Sequence, residues 1–277
     1  MPKWASRTGK ITVNAVMLIL SLSCIFPIVW MIYSSLKTQQ EFNLNIISLP
    51  SSLQFRNYVD AFVVGKMNLY FFNSVFVSIL TVVLTILVSF FAAYLLARFS
   101  FRGRNAIYFM FLAGMLLPIH GLLIPVFVEF KSIGMLDNRF TLVFPYVAFN
   151  LSMAIFLFEN FIRTIPVEVE EAACIDGSSP TSTLLRIVMP MCMPVLSTGI
   201  ILFFLGAWNE FPFALVLLKS PELRTLPVGL TNFNGQFTVN YPQMMAAMVI
   251  VVLPVILTYL VFYKKIIQGM TAGAVKG

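Results

Sequence analysis

Charge is scarce in this chain: Asp, Glu, Lys and Arg make up 10% of its 277 residues, against roughly 25% in soluble domains. That scarcity excludes an ordinary water-facing surface, because a soluble protein this apolar would expose large aggregating patches. Cysteine and histidine are also rare. Cys24, Cys174, Cys192 and His120 are the complete set. With no Cys-x-x-Cys pair, they exclude a disulfide framework and a clustered metal site. His120 alone does not supply the nucleophile and base that an intramembrane enzyme needs, so no enzymatic role is expected. No Gly-x-x-x-x-Gly-Lys-Ser/Thr phosphate loop occurs, which removes that route to ATP. The pI is near 9.4, yet no Lys/Arg run exists to serve as a nucleic-acid footprint. Nor does any convincing internal repeat appear, which weighs against transporters built on inverted repeats.

Hydrocarbon is what the chain has. It is 59% hydrophobic, with 28 Phe and 15 Met, and its mean hydropathy is +0.91. Apolar runs fall at about 11–36, 70–97, 105–129, 140–162, 191–218 and 243–263, each long enough for a helix across a bilayer, which takes about 20 residues. The expected architecture is an all-α integral membrane protein of six spans, one domain over 1–277. The first run is too long for a signal-peptide core and no Ala-x-Ala site follows, so it reads as an uncleaved span. Lys3, Arg7 and Lys10 precede it, and Arg98, Arg102 and Arg104 crowd a short turn. By the positive-inside rule both termini and that turn lie in the cytoplasm. Pro27, Pro118, Pro125, Pro145, Pro194 and Pro254 interrupt the spans and invite kinks.

Between the fourth and fifth runs sits a polar island, 163–190. It opens with Thr164 as a candidate N-cap, Pro166 in the first turn and Glu168 and Glu170 beside the positive helix end. Gly177 reads as the stop. Ser179 then caps a second short helix with Pro180 at its first position. Neither helix is long enough to cross a membrane, so the pair is expected to be a cytoplasmic docking hairpin.

The same island carries Glu171-Ala172-Ala173, three residues, Gly177, nine residues, then Ile187-x-Met189-Pro190. This spacing resembles the signature of permease subunits of bacterial ABC importers, with Met189 where that family usually has Leu. The chain is similar to the carbohydrate-uptake branch, and within it to the smaller of the two permeases of maltose-type transporters. Gly206-Ala207-Trp208-Asn209-Glu210-Phe211, the run from Thr225 to Leu230 and the tail from Gly269 to Gly277 add to the resemblance, which covers nearly the whole chain. It implies a type I importer permease fold in a bacterial cytoplasmic membrane. The implied partners are a second homologous permease, two ATP-binding subunits that hold ATP and Mg, and an extracytoplasmic solute-binding protein; the cargo is a sugar, with no cofactor on this chain. Glu171, Ala172, Ala173, Gly177, Ile187 and Pro190 are implied to meet the ATPase, with Ala274 and Lys276 of the tail at its interface. A glycerol-phosphate importer shares these motifs and stays open as an alternative.

For the sugar pathway, aromatic faces and amides are the expected groups. Tyr146, Phe149, Asn150 and Ser152 in the fourth run and Trp208, Asn209 and Glu210 in the fifth are the candidates. Packing is the commoner role for each alone. Glu210 is also the one plausible membrane carboxylate for a stand-alone proton-coupled transporter, the rival reading. Glu159 reads as solvated or paired with Arg163, and His120 as a packing or interfacial residue. The outer segment 219–242 is rich in turn formers, and Asn232, Asn234, Gly235 and Gln236 at its tip are candidate contacts for the binding protein.

Overall fold

A computed structural model describes residues 7–233 and 239–274, with side chains over 9–233 and 239–262. Asn234, Gly235, Gln236 and Lys276 lie outside the described residues, as does the side chain of Ala274. Among the described residues the regular structure is entirely helical. Four helices have the length and hydropathy of a span: Gly9–Ser34, Met67–Arg98, Val143–Ile162 and Tyr241–Phe262. Two further apolar pairs are broken, Arg104–Gly114 with Ile119–Ser132 bent by 92° and Pro180–Met191 with Met193–Asn209 bent by 78°.

With each bent pair counted as one span the expected six are kept, but two of the expected runs are interrupted. The run 105–129 is not one helix, because Pro118 has no amide to donate and pushes the residue before it out of the helical region. Pro118 itself is extended (φ −72°, ψ 101°). In the run 191–218, helix Met193–Asn209 ends at Glu210, whose backbone is extended, and a short helix Pro212–Leu217 follows. Pro27 and Pro254, by contrast, sit inside helices that continue through them.

The chain forms two compact units. The first, 1–68 with 229–253, is organised by its polar connection. Lys37 is fully buried and donates to the carbonyls of Asn45 (2.9 Å) and Ile46 (3.0 Å), and burial holds its ammonium pKa down against the opposing pull of Glu41. Thr38 and Glu41 form a capping box on helix Gln39–Leu44. Glu41 also accepts from the Ser51 hydroxyl, a bond that lowers its carboxyl pKa to about 2. Phe42 stacks on Tyr241 at 5.2 Å. A short helix, Arg56–Val59, runs into a π-turn, Asp60–Val64.

The second unit, 69–228 with 254–277, holds two apolar clusters. One joins Phe90, Tyr94, Phe158, Ile162, Leu184, Val188 and Phe203. The other joins Val77, Leu142, Tyr146, Phe213, Leu217 and Val228. Gly114 lets two helices of this unit touch, since a Cβ there would meet the Ser152 hydroxyl at 2.5 Å. A buried Leu or Phe side chain contributes about 1.5–3 kcal/mol relative to its exposed form, so these clusters fix the scaffold on which the polar sites sit.

Candidate functional site

The polar island folds as the expected hairpin, with one shift at its start. The first helix is Val167–Ile175 and its N-cap is Pro166, not Thr164. Thr164 instead donates its hydroxyl to the carbonyl of Phe161, closing the previous helix. At the other end the Gly177 amide donates to Cys174 O (3.0 Å) and the Ser178 amide to Ala173 O (2.9 Å). That pair of bonds is a Schellman motif, which places the residue after the cap in the left-handed region. Gly177 has φ +83°, and a Cβ there would meet nothing within 4 Å. Its requirement for glycine is therefore conformational and not spatial. Ser179 accepts from the Ser182 amide and Pro180 is at the first turn, as expected. Because Pro190 lacks an amide, the second helix widens into a π-turn at Leu184–Val188 before the bend at Cys192.

The hairpin has two faces. Glu171, Ala172 and Pro190 are exposed and Ile187 is half-buried. Ala173, expected at the docking surface, is 7% exposed and packs into its own chain. Sequence reasoning missed Val167 and Ile175, which are 49% and 87% exposed. They stand four residues either side of Glu171, so all three share one helical face. Their signal was the i, i+4, i+8 spacing itself.

A second group gathers around the helix break at Glu210. The carboxylate accepts from the amides of Phe213 (2.8 Å) and Ala214 (3.1 Å), capping helix Pro212–Leu217, and from the Tyr146 hydroxyl. Tyr146, Phe149, Asn150, Asn209, Glu210 and His120 line one cavity of about 340 Å³. Asn150 and Asn209 each donate to the carbonyl four residues earlier, which leaves further capacity on each amide for a ligand hydroxyl. His120 is exposed, in a 3-10 turn, with its ring 6.4 Å from Phe213. Two candidates stand apart. Ser152 lines a neighbouring cavity of about 370 Å³ with Gly114 and Met115. Trp208 is 1% exposed and packs edge-on to Phe71 and stacked on Phe204.

In the same unit, segment 218–226 is strapped down. Asp137 accepts from the amides of Lys219 and Ser220 (both 2.8 Å) and from the Ser220 hydroxyl. The hydroxyl bond is the main cause that lowers the Asp137 carboxyl pKa. Asn73 donates to Glu222 O and Arg224 O, and the Leu226 amide donates to Ser74 Oγ. Asn232 lies in a 3-10 turn, Leu230–Phe233.

The profile of the family described as binding-protein-dependent transport system inner membrane component matches residues 86–272. Among characterised relatives, the sulfoquinovosyl glycerol transport system permease protein of Agrobacterium fabrum is 36% identical, over 94% of this chain and 91% of its own length. The trehalose/maltose transport system permease protein of Thermococcus litoralis is 33% identical over 94% of each chain. The crystal structure of a bacterial ABC transporter involved in the import of the acidic polysaccharide alginate contains a similar chain. It superposes with a TM-score of 0.83 at 27% identity, covering 95% of this chain and 99% of that one.

Proposed function

We propose that this chain, which belongs to the family of inner-membrane components of binding-protein-dependent transport systems, is one of two different permeases in an ATP-driven importer of di- or oligosaccharides. The observation that carries this reading is the exposed face of Val167, Glu171 and Ile175 on a hairpin too short to span, set between apolar helices. Such a face, two apolar residues around one carboxylate, suits the cleft of a soluble ATPase. ATP and Mg belong to two such subunits. ATP binding closes the ATPases, shifts the hairpin and turns the pathway outward; a solute-binding protein then delivers the sugar, and hydrolysis resets the pathway inward. Ala274 and Lys276 of the tail are proposed at the ATPase interface, and Asn232 to Gln236 at the binding protein.

The cavity at the helix break supports a sugar as cargo. Its polar groups are two amides, a phenol, an imidazole and one carboxylate, and no Lys or Arg lines it among the described residues. A glycerol phosphate would need a cation there. The strap at 218–226 fits a stable platform for the binding protein on the outer face, with the Arg98 turn and hairpin in the cytoplasm. Proteoliposomes holding this chain, a second permease and the ATPases test the reading with labelled maltose, trehalose and cellobiose. Uptake should require both ATP and the binding protein. Uptake by this chain alone, driven by a proton gradient, would instead establish the stand-alone transporter.

A further inference from the structure

The turn between helices Met67–Arg98 and Arg104–Gly114 carries basic residues whose evident purpose in the sequence is to fix topology. Two of them are occupied otherwise. The Arg98 guanidinium makes two bonds that cross to the hairpin. Its Nε reaches Glu170 at 2.6 Å, and its Nη2 donates to the carbonyl of Ile165 at 2.8 Å. Glu170 also accepts from the Tyr94 hydroxyl at 2.7 Å. The contact is nearly dry, with the Arg98 and Glu170 side chains 10% and 12% exposed. Arg104 grips the preceding helix and helix Val143–Ile162: its Nε donates to Leu96 O at 2.6 Å, and its Nη2 lies 3.5 Å from Glu159. Glu159 is 1% exposed and also binds Arg163.

The placement of Glu170 is what gives this cluster a consequence. It adjoins Glu171 in sequence but, turned about 100° round the helix, packs into the chain while Glu171 is exposed. One helix of nine residues thus presents a docking face on one side and a buried ionic contact on the other. A covalent path already joins the hairpin to helices Val143–Ile162 and Met193–Asn209. Helix Met67–Arg98 has no such link, being separated from the hairpin by two broken or spanning helices in sequence. Arg98, Glu170 and Tyr94 supply a directional polar link beside the apolar cluster that Phe90 and Tyr94 share with Leu184 and Val188.

We propose that the Arg98, Glu170 and Tyr94 cluster is the clamp that passes displacement of the docking helix to helix Met67–Arg98, so that these are positioning residues for coupled transport and not topology signals alone. The proposal rests on the permease reading above. A guanidinium suits the task because its planar fork holds two acceptors at fixed geometry, which a lysine ammonium on a flexible stem does not. A nearly desolvated pair also resists slipping, since separating it leaves a buried charge without a partner.

The test is a double-mutant cycle in the assembled transporter, reading uptake of labelled maltose, trehalose and cellobiose per ATP hydrolysed. Arg98→Gln and Glu170→Ala should each lower that ratio by about tenfold, within the range of typical coupling energies, while hydrolysis continues. The double variant should fall well short of the two losses combined, because both changes remove the Arg98–Glu170 contact. Arg98→Lys should restore the ratio only in part, and the charge-reversed pair Arg98→Glu with Glu170→Arg should exceed either single reversal. If Arg98→Gln does not assemble, Tyr94→Phe and Glu170→Gln each weaken the clamp without removing the guanidinium, and a lowered ratio in either supports it. Wild-type ratios in the assembled single variants would overturn the clamp, as would fully additive losses. Gly177→Val separates this from the wider reading. A Gly177 variant that uncouples beside an Arg98 variant that does not removes the clamp alone; if neither changes anything, the docking role itself falls.

Discussion

Glu210 shows how a single residue is noticed from sequence while its partners are not. A carboxylate in an apolar run attracts attention because burying a charge is expensive, and the residue does line a cavity. Its oxygens, however, are already committed to the Phe213 and Ala214 amides and the Tyr146 hydroxyl. Pro212 held the missing signal, since a proline two residues after an acidic side chain often marks a capped helix start. Glu210→Ala should therefore destabilise the protein, at about 1–3 kcal/mol for each buried donor left unpaired. Glu210→Gln keeps an acceptor oxygen and should lose distinctly less. Thermal unfolding in detergent, read beside uptake, checks this; equal Tm values for the two variants would return Glu210 to the role of a pathway group only. Packing was the commoner expectation for Trp208 and Ser152, but their partners Phe71 and Gly114 were not legible, being distant in sequence.

The hairpin was the most legible element because its signals are local. Ser179, Pro180 and Gly177 act through their own backbone geometry, and each takes the expected position. Thr164 failed as a cap since Pro166 fixes φ at the first turn and the cap moves to it. Gly177 makes a sharp prediction at this scale. Its Cβ has open space, so only the left-handed φ matters; Asn tolerates that region and β-branched residues do not. Gly177→Asn should couple almost normally and Gly177→Val should not, as uptake per ATP will report. The strap around Asp137 was invisible, because its bonds join residues more than eighty positions apart. Its carboxyl pKa is depressed in the fold, so its stabilisation is present above the ordinary carboxyl value and is lost as pH falls through the lower folded one. Amide exchange at Lys219 and Ser220, divided by the intrinsic rate at each pH, should stay slow above the ordinary carboxyl range and speed up as pH falls through the depressed folded pKa. Asp137→Ala should speed it about tenfold or more near pH 7, from the ~1.5–3 kcal/mol of a hydrogen bond to a charged group. Unchanged exchange would show that Asn73 and Ser74 alone hold the segment.

At the scale of the whole molecule, composition and run length sufficed for an all-helical membrane protein, while the breaks in the third and fifth runs depended on where helices meet. The orientation proposed across the membrane rests on basic residues whose bonds, at Arg98 and Arg104, serve the fold too. A direct measurement is therefore worth more than the charge bias, and the native cysteines supply it. Cys24 is exposed only along an apolar helix that lipid should cover, and Cys192 is buried. Cys174 is exposed on the proposed docking hairpin, outside the long apolar helices. A membrane-impermeant maleimide should thus leave intact cells unlabelled and modify Cys174 in inside-out vesicles stripped of the ATPase. Adding the ATP-binding subunits back should shield it, because Cys174 lies one residue from Ile175 on the helix that presents Val167 and Glu171. Cys174→Ser abolishes the signal and identifies the site. Labelling of Cys174 from outside intact cells would invert the topology and detach the hairpin from any cytoplasmic ATPase. Labelling from the inside that ATPase addition leaves unchanged would keep the topology and move the docking face elsewhere.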